Sequence, residues 1–283
     1  MNQHFSETLK KLRANKGLSQ QALAEKVYVT QAALSRWESG NRLPDAVMIT
    51  RLSEYAMIRS GDKIAVGISG GKDSLTLLHA LSGLRRFYPE KFELIAITVD
   101  LGFEEFDTEP IKALCERLDV PYKVVKSDIY RIVFEERKES NPCSLCAKMR
   151  KGALNEAILS MGCNKVAYAH HKDDVVETLI LSLIYEGRIH TFSPVTYLDR
   201  TGITVIRPLL FIEEADIIGF KNKYDLPVIG KKCPADGYTK REYAKELIKQ
   251  LNRETPGVTD RMFTAIQRST IKGWGINEQS ELS

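Results

Sequence analysis

The stretch IAVGISGGKDS, from Ile64 to Ser74, decides the fold of this 283-residue chain. Residues 64–69 form a short, β-branched and apolar run without alternation, which is typical of a strand that is buried on both faces. Two glycines follow, and residues 74–87 then show the apolar spacing of a helix. A buried strand that runs through a glycine turn into a helix predicts the start of a βαβ unit in a parallel sheet.

Four further runs have the composition of strands and are separated by helical stretches. They are residues 93–100, 122–128, 165–170 and 203–209. Strands that alternate with helices favour an α/β fold built on a parallel sheet. We expect three regions in the chain: a small all-α domain at 1–57, the α/β domain at 58–230 and a basic helical segment at 231–283.

The composition is that of a folded, soluble protein, with 43% hydrophobic and 28% charged residues. No apolar run approaches the roughly 18 residues that a membrane-spanning helix needs, and the N-terminus does not read as an export signal. We therefore expect a cytoplasmic protein. Five cysteines, an odd number, argue against a disulfide framework and favour metal binding or redox chemistry. The net charge of +4 does not by itself indicate a nucleic-acid partner.

The turn after the first strand has the chemistry of a phosphate site. Its glycines let the backbone approach an anion closely, and the start of the next helix offers unpaired N–H groups. Lys72 adds a positive charge, and the hydroxyls of Ser69 and Ser74 add hydrogen-bond donors. The Asp73 carboxylate is suited to hold Mg²⁺ beside the phosphates. The loop is not a Walker A sequence, because its glycines do not have that spacing.

This turn resembles the signature of the PP-loop ATP pyrophosphatases, whose fold is that of the adenine nucleotide alpha hydrolases. The resemblance implies that ATP is cut between its α and β phosphates and that AMP leaves. It also implies that the end of the second strand, at Val99 and Asp100, borders the adenine. The pyrophosphate would be wrapped by Ser69, Gly70, Gly71, Lys72, Asp73 and Ser74.

Two cysteines lie one turn apart at a predicted helix start. Cys143 and Cys146 form a CxxC pair there, where the helix dipole favours thiolates. Cys233 lies in a predicted loop, whereas Cys115 and Cys163 lie among apolar positions and are expected to be core thiols. The pair alone leaves three chemistries open: a zinc site completed by histidine, a redox dithiol, or a [4Fe–4S] cluster with three protein ligands.

The cysteine arrangement resembles the tRNA 2-thiocytidine synthetase (TtcA-type) branch of the PP-loop family. The resemblance implies a [4Fe–4S] cluster on Cys143, Cys146 and Cys233. It covers about residues 55–275 and continues through three more motifs, KMRKG at 148–152, AHHKDD at 169–174 and IRPL at 206–209. The one departure in these motifs is an alanine, Ala169, where the family commonly has glycine.

The same resemblance implies roles for the polar residues of these motifs. A nucleotide site at the carboxyl ends of the strands, where open α/β folds bind ligands, would be lined by His170, His171 and Asp173. Catalytic roles would fall to Asp73, Asp174 and Arg150. The two carboxylates would position metal or charge, and the guanidinium would orient the activated base.

The implied reaction is 2-thiocytidine formation in the anticodon loop of tRNA. ATP would adenylate the C2 oxygen of cytidine, and sulfur from sulfide or a cysteine desulfurase would replace AMP. Two alternatives remain open at this point: a DNA-binding regulator that senses nucleotide or cluster state, and a cluster-dependent desulfidase of thionucleobases. A homodimer is an open option for the assembly.

The first fifty residues resemble a helix-turn-helix of the Xre/Cro type. Two short helices are predicted at 18–24 and 30–40, and the second ends in the pattern W-E-x-G-x-R-x-P. In this motif the second helix enters the major groove. We therefore expect Gln31 and Arg36 of the second helix, and Gln20 of the first, to face DNA. Tyr28 replaces the usual turn glycine, and there is no room for the usual fifth helix before Gly61. A packing or dimerising module is therefore the alternative.

Positive charge is concentrated late in the chain. Residues 220–253 hold nine basic and four acidic residues, which predicts a face that binds anions. We expect Lys240, Arg241 and Lys245 to contact the phosphates of tRNA. A solvated helix surface is the alternative, because charge runs are commonly that.

Overall fold

The computed structural model describes residues 2–26, 31, 35, 38, 44–86, 88–103, 106–137, 142–229 and 240–274. The chain divides into two compact units, Met1–Thr50 and Arg51–Ser283. The sequence-based boundary at 57/58 lies seven residues later. The division falls inside a helix, Pro44–Glu54, that contributes residues to both units.

The first unit contains helices α1, Asn2–Asn15, and α2, Gln20–Lys26, with α3, Pro44–Glu54, at its end. Ser19 caps α2, since its hydroxyl accepts the N–H of Ala22 at 3.0 Å. The buried carboxylate of Glu38 accepts hydrogen bonds from the Arg13 guanidinium and from the Gln20 amide. The bond from Arg13 lowers the pKa of Glu38. The acidic residue of the W-E pattern is therefore an internal anchor of this unit.

The second unit is built on one sheet of six strands, in the order β3-β2-β1-β4-β6-β5. The strands are β1, Lys63–Gly67; β2, Glu93–Asp100; β3, Tyr122–Lys126; β4, Lys165–Ala167; β5, Val195–Leu198; and β6, Ile203–Ile206. All pairings are parallel except that of β5 with β6. The expected α/β fold with a largely parallel sheet is confirmed. The sequence did not predict β5, a half-buried edge strand with little apolar pattern.

Helices connect the strands and continue beyond the sheet. They are α4, Lys72–Leu84; α5, Glu109–Arg117; α6, Pro142–Ser160; α7, Lys172–Leu181; α8, Glu214–Lys223; α9, Lys240–Glu254; and α10, Val258–Gln267. Two π-helical turns, Arg131–Glu136 and Ser182–Glu186, were not predicted. None of the described helices is both long and apolar enough to cross a bilayer.

Two apolar clusters hold the second unit together. In one, Leu154 and Ile158 of α6 pack with Ile97, Val166 and Val205 of the sheet. In the other, α7 packs with α9, α10 and the buried indole of Trp274. The helices of the basic segment therefore complete the core of the α/β unit, and this was not apparent from their charge.

A buried ion pair lies at the amino ends of β1 and β4. Lys165 opens β4, and its Nζ lies 2.7 Å from Asp62 Oδ2 and 2.9 Å from the carbonyl oxygen of Met57. Asp62 also accepts the N–H of Arg59 and the amide of Asn164. Because both charged side chains are more than nine-tenths buried, each depends on the other for compensation.

We expect Lys165→Met to lower the free energy of unfolding by about 3 kcal/mol or more, because it leaves the Asp62 carboxylate buried without its cation. Urea unfolding measures the change. Lys123→Met, on an exposed position of β3, is the matched control and should change stability little. Equal effects of the two substitutions would show that the buried pair does not contribute as argued.

Candidate active site

The site is formed where β1 and β4 end side by side. The chain runs from β1 outward through β2 to β3 and then crosses to β4 on the other side of β1. Neighbouring parallel strands whose connections leave in opposite directions open a crevice at their carboxyl ends, where α/β folds bind ligands. The turn after β1 begins at Ile68, and the segment after β4 carries His170 and His171.

The turn after β1 is shaped by Gly70. Its φ of +79° lies in the left-handed region, and a Cβ there would approach Cβ of Ile229 to 3.3 Å. The Ile229 N–H donates to the Gly70 carbonyl at 3.0 Å. Helix α4 then starts from Gly71 with no side-chain cap on its first N–H groups. The turn therefore offers an uncapped helix start to an anion.

The two serines of the turn hydrogen bond within the loop. Ser74 Oγ donates to the Gly71 carbonyl at 3.0 Å and accepts the Ser69 N–H at 3.2 Å. The two hydroxyl oxygens are 3.2 Å apart. In this state the hydroxyls hold the shape of the turn.

Lys72 lies between two carboxylates. Its Nζ is 3.0 Å from Asp73 and 3.0 Å from Glu214, and Lys245 reaches the same Glu214 at 3.0 Å. Burial alone would lower the pKa of Lys72, but the bonds to Asp73 and Glu214 outweigh it and raise that pKa. Burial would likewise raise the pKa of Glu214, and its two lysine partners lower it instead. Sequence reasoning missed Glu214, since only the fold brings the start of α8 to this turn.

A buried histidine lies among three aspartates. His171 Nε2 lies 3.5 Å from Asp174 and 4.0 Å from Asp73, and Nδ1 lies 3.5 Å from Asp173. Burial would lower the pKa of His171, but the three carboxylates raise it. The structure therefore brings together four residues that the sequence singled out on two separate segments.

Two of these aspartates also fix the surrounding backbone and side chains. Asp174 Oδ2 accepts the N–H of His171 at 3.0 Å, and Asp173 accepts the N–H of Glu214 at 2.9 Å. The Arg241 guanidinium donates to Asp174 at 3.1 Å and to Glu177 at 2.9 Å. Within the described part of the chain, no three His, Cys, Asp or Glu side chains are arranged to hold a metal ion.

His170 faces a different environment from His171. Its ring packs against Phe192 at 4.5 Å and lies edge-on to Tyr168 at 5.9 Å. Burial, with a smaller contribution from the charge of Arg207, lowers the pKa of His170 to about 4. The imidazole of His170 is therefore neutral near pH 7, whereas the pKa of its neighbour His171 is raised.

The end of β2 forms a tight backbone turn. Val99 and Asp100 are its last residues, and the Asp100 carbonyl accepts both the N–H and the hydroxyl of Ser127. Gly102 follows with a φ of +85°, where a Cβ would approach the Ser127 carbonyl oxygen to 3.1 Å. The end of β2, which is expected to border an adenine, is therefore held by backbone contacts between residues 100–102 and Ser127.

Helix α6 carries the CxxC pair and packs at the end of β1. Cys143 is exposed and Cys146 is half-buried, and neither of these cysteines of the first helical turn is in a disulfide. Leu154, roughly 12–16 Å further along the helix axis, lies 3.5 Å from the position that a Cβ of Gly67 would occupy. Arg150 lies on the same helix and is exposed.

The remaining cysteines divide as expected where the structure describes them. Cys115 and Cys163 are buried, and burial raises both their pKa values, that of Cys115 to about 12. These thiols are therefore unreactive core residues. Cys233 lies outside the described residues.

The expected nucleic-acid contacts have varied surroundings. Gln31 is exposed, Gln20 is engaged with Glu38, and Arg36 lies outside the described residues. In α9, Lys240 lies over the ring of Tyr185 at 4.3 Å. Arg241 and Lys245 are instead paired with the carboxylates named above.

Comparison with known proteins gives the family. A PP-loop domain model matches residues 44–250, and a helix-turn-helix model matches residues 9–55. The tRNA-cytidine(32) 2-sulfurtransferase of Geobacter sulfurreducens is 39% identical over 218 residues, which cover 76% of this chain and 85% of that protein. That of Pelobacter propionicus is 38% identical over 248 residues, which cover 87% and 92%.

A solved structure has the same fold. It is the U34-tRNA thiolase NcsA from Methanococcus maripaludis with its [4Fe-4S] cluster, with a TM-score of 0.63, 24% identity and 81% of each chain covered. The matched PP-loop domain spans most of the chain, and the curated relatives are 38–39% identical to it over the matched residues. The chain therefore belongs to the PP-loop family, in its branch of tRNA-cytidine 2-sulfurtransferases.

Proposed function

We propose that this protein thiolates a cytidine of tRNA at C2, in the anticodon loop, after adenylating the base with ATP. One observation carries the proposal furthest. A phosphate-binding turn and a cluster of three aspartates around His171 lie at the end of β1, and the helix that begins with Cys143 and Cys146 packs its Leu154 against the same strand end. The relatives whose printed names specify cytidine 32 support the choice of base.

The turn after β1 fits the phosphates of ATP. The left-handed Gly70 and the uncapped start of α4 let several N–H groups point at one anion. Lys72 would exchange Asp73 and Glu214 for phosphate oxygens, and the loop amides with Lys72 would stabilise the charge on departing pyrophosphate. The end of β2 at Val99 and Asp100 would border the adenine.

Magnesium would be held by carboxylates beside the phosphates. Mg²⁺ is usually bound by one or two protein carboxylates, with substrate phosphates and water completing its shell. Asp73 and Asp174 both lie within 4.0 Å of His171 Nε2, so the donor set fits this role. His171, whose pKa is raised by these carboxylates, would lose part of their stabilisation when a cation takes its place among them.

The thiols of α6 fit an iron–sulfur cluster. Cys143 and Cys146 are not in a disulfide and are spaced one turn apart at a helix start, and Cys233 would supply the third thiolate. When bound, a [4Fe–4S] cluster with three protein ligands supplies an iron position open to the sulfur that replaces the C2 oxygen. Arg150, one turn beyond Cys146, would orient the activated base near these thiols. The sulfur itself would come from sulfide or from a cysteine desulfurase, in the cytoplasm.

A second candidate function belongs to the first unit. The helix-turn-helix match at 9–55 favours DNA binding, through Gln31 and Arg36 of the second helix. The engagement of Gln20 with Glu38 removes one expected base contact. We rank this role second, because the curated relatives that match most of the chain are tRNA sulfurtransferases.

Lys72→Ala is expected to lower the formation of AMP and pyrophosphate by roughly a hundredfold or more, because one charge-stabilising donor is lost. The iron content should stay unchanged, since the turn and α6 are separate segments. Product analysis after incubation with ATP and unmodified tRNA measures the effect.

A strain without the gene should lose one thionucleoside, which the wild-type gene restores and the Lys72→Ala gene does not. Formation of ADP and phosphate, or an intact thionucleoside profile in that strain, would contradict the proposed function.

Glu214→Gln is expected to lower the KM for ATP by about threefold to tenfold, the scale of one partly buried ion pair. The reason is that Glu214 competes with phosphate for Lys72. Steady-state kinetics at varied ATP concentration measures it. Glu213→Gln removes the neighbouring carboxylate, which pairs with Lys172 instead, and should leave the KM unchanged. A raised KM in Glu214→Gln would mean that this carboxylate helps to bind the nucleotide.

Anaerobically purified protein is expected to be brown and to contain iron, and Cys143→Ala, Cys146→Ala or Cys233→Ala should each bleach it. Cys115→Ala and Cys163→Ala should keep the colour, because these thiols are buried in the core. Visible absorption and iron analysis measure the outcome. A colourless wild type with stoichiometric zinc would favour the zinc alternative.

Replacing Lys240, Arg241 and Lys245 by glutamine is expected to weaken tRNA binding, because each substitution removes a cation that would pair with an RNA phosphate. The log–log salt slope should fall by roughly 0.7–0.9 for each phosphate that is no longer neutralised. Filter binding over a range of salt concentrations measures it. Arg241→Gln and Lys245→Gln should also change ATP turnover, since both pair with carboxylates of the site, whereas Lys240→Gln should not. If the triple variant binds tRNA normally while Arg36→Ala loses a DNA site, the regulator function becomes the better proposal.

A further inference from the structure

A guanidinium at the end of β6 has no charged partner in the described structure. Arg207 follows β6 directly, and its Nη1 donates to the Ser193 carbonyl at 2.6 Å and to the Thr196 hydroxyl at 3.1 Å. Its Cζ lies 5.1 Å from the centre of the Phe192 ring. Its Nε is shielded from solvent and has no hydrogen-bond partner. The neighbours of this cation are therefore neutral.

Holding a cation away from water without an anion beside it costs free energy. Burial lowers the pKa of Arg207 to about 10, and among the described residues the phenol of Tyr168 acts to raise it, but burial keeps this phenol protonated near pH 7. The other partly buried cations of the site, Lys72, Lys245 and Arg241, each have a carboxylate within 3.1 Å. A desolvated cation without an anion is stable only where the rest of the structure holds it, and it gains most from an anionic ligand.

A second unpartnered group lies beside it. The Nδ1 atom of His170 is also buried without a hydrogen-bond partner, and its ring packs on the Phe192 ring that Arg207 covers. A neutral imidazole with its proton on Nδ1 would donate one hydrogen bond to the same anion. Two orphaned nitrogens thus occur around one aromatic ring.

The pair is continuous with the site after β1. The Tyr168 ring lies edge-on to His170 and 3.5 Å from the position of a Cβ on Gly67, the last residue of β1. Leu154 of the CxxC helix meets the same position at 3.5 Å. His170 follows β4 and Arg207 follows β6, the next strand beyond β4 from β1, so the orphaned nitrogens lie at the same edge of the sheet as the turn at Gly70.

We propose that Arg207 and His170 form a second anion site, which binds a phosphoryl oxygen of the substrate beside the reacting base. The inference rests on the proposed function, because that function supplies two phosphates able to reach this edge. One is the α-phosphate that joins the base, and the other is a phosphodiester of the RNA. The Arg207 guanidinium suits either one, since a guanidinium pairs with phosphate oxygens through directed N–H donors.

The test has two binding arms. In the first, a non-hydrolysable ATP analogue with a methylene bridge between its α and β phosphates is titrated without RNA. In the second, unmodified tRNA is titrated without nucleotide over a range of salt concentrations. Arg207→Gln is expected to weaken one arm by about tenfold to a hundredfold, the scale of a charge-assisted hydrogen bond. Loss in the first arm identifies the nucleotide phosphate, and loss in the second, with a salt slope lower by roughly 0.7, identifies the RNA.

Three further variants separate binding from support of the fold. Thr196→Val removes an acceptor of Arg207 but no charge, and should leave both arms unchanged. Arg200→Gln removes an exposed arginine of the β5–β6 turn, and should also bind normally. His170→Phe keeps the ring against Phe192 and removes the nitrogen, so it should weaken the same arm as Arg207→Gln, and it replaces that variant if Arg207→Gln does not fold.

Four results would overturn the inference. They are normal affinity of the folded Arg207→Gln and His170→Phe variants in both arms, equal loss in both arms, a Thr196→Val variant as weak as Arg207→Gln, and an Arg200→Gln variant that is equally weak. A wild-type protein that binds neither probe would refute the proposed function itself and this inference with it. A wild type that binds both probes, with variants that match it, would refute the anion site alone.

Discussion

Burial of β1 on both faces is the constraint on which the site depends. Residues 64–66 are fully buried, and the strand is paired on each side by a parallel neighbour. A strand enclosed in this way can offer chemistry only at its end, where the backbone emerges from the sheet. Its neighbours run in the same direction, so their ends emerge at the same edge. The turn at Gly70, the pair Val99 and Asp100, and the histidines after β4 are therefore brought together by strand direction.

The charges at this edge are arranged around anions that the reaction would supply. Lys72 and Lys245 share the carboxylate of Glu214, and Arg241 bridges Asp174 and Glu177. These carboxylates compensate the cations in the free protein, which limits the cost of holding positive charge in a half-buried crevice. Arg207 has no such partner among the described residues. Lys72, Lys245 and Arg241 are therefore compensated by carboxylates of the protein itself, whereas the buried charge of Arg207 is held by neutral acceptors.

The parts of this site that local sequence specifies could be predicted, and the parts that depend on distant contacts could not. The turn from Gly70 to Asp73, the segment from His171 to Asp174 and the CxxC pair are each encoded within a few residues, where spacing and residue type limit the chemistry. Glu214 reaches Lys72 only because α8 starts next to the turn, about 140 residues further along the chain. β5 was missed because an edge strand needs little apolar pattern, and its partner β6 alone determines its pairing.

The basic residues of 220–253 do not share one environment in the structure. Nine basic residues predicted an outer face for RNA, yet Arg241 and Lys245 point into carboxylates of the site, and Ala244 and Ile248 on the same helix lie in the core. Since α9 packs against α7, its charge is divided between the nucleotide crevice and the solvent side that holds Lys240 and Lys249. One helix therefore contacts the carboxylates beside the ATP turn and also presents cations outward.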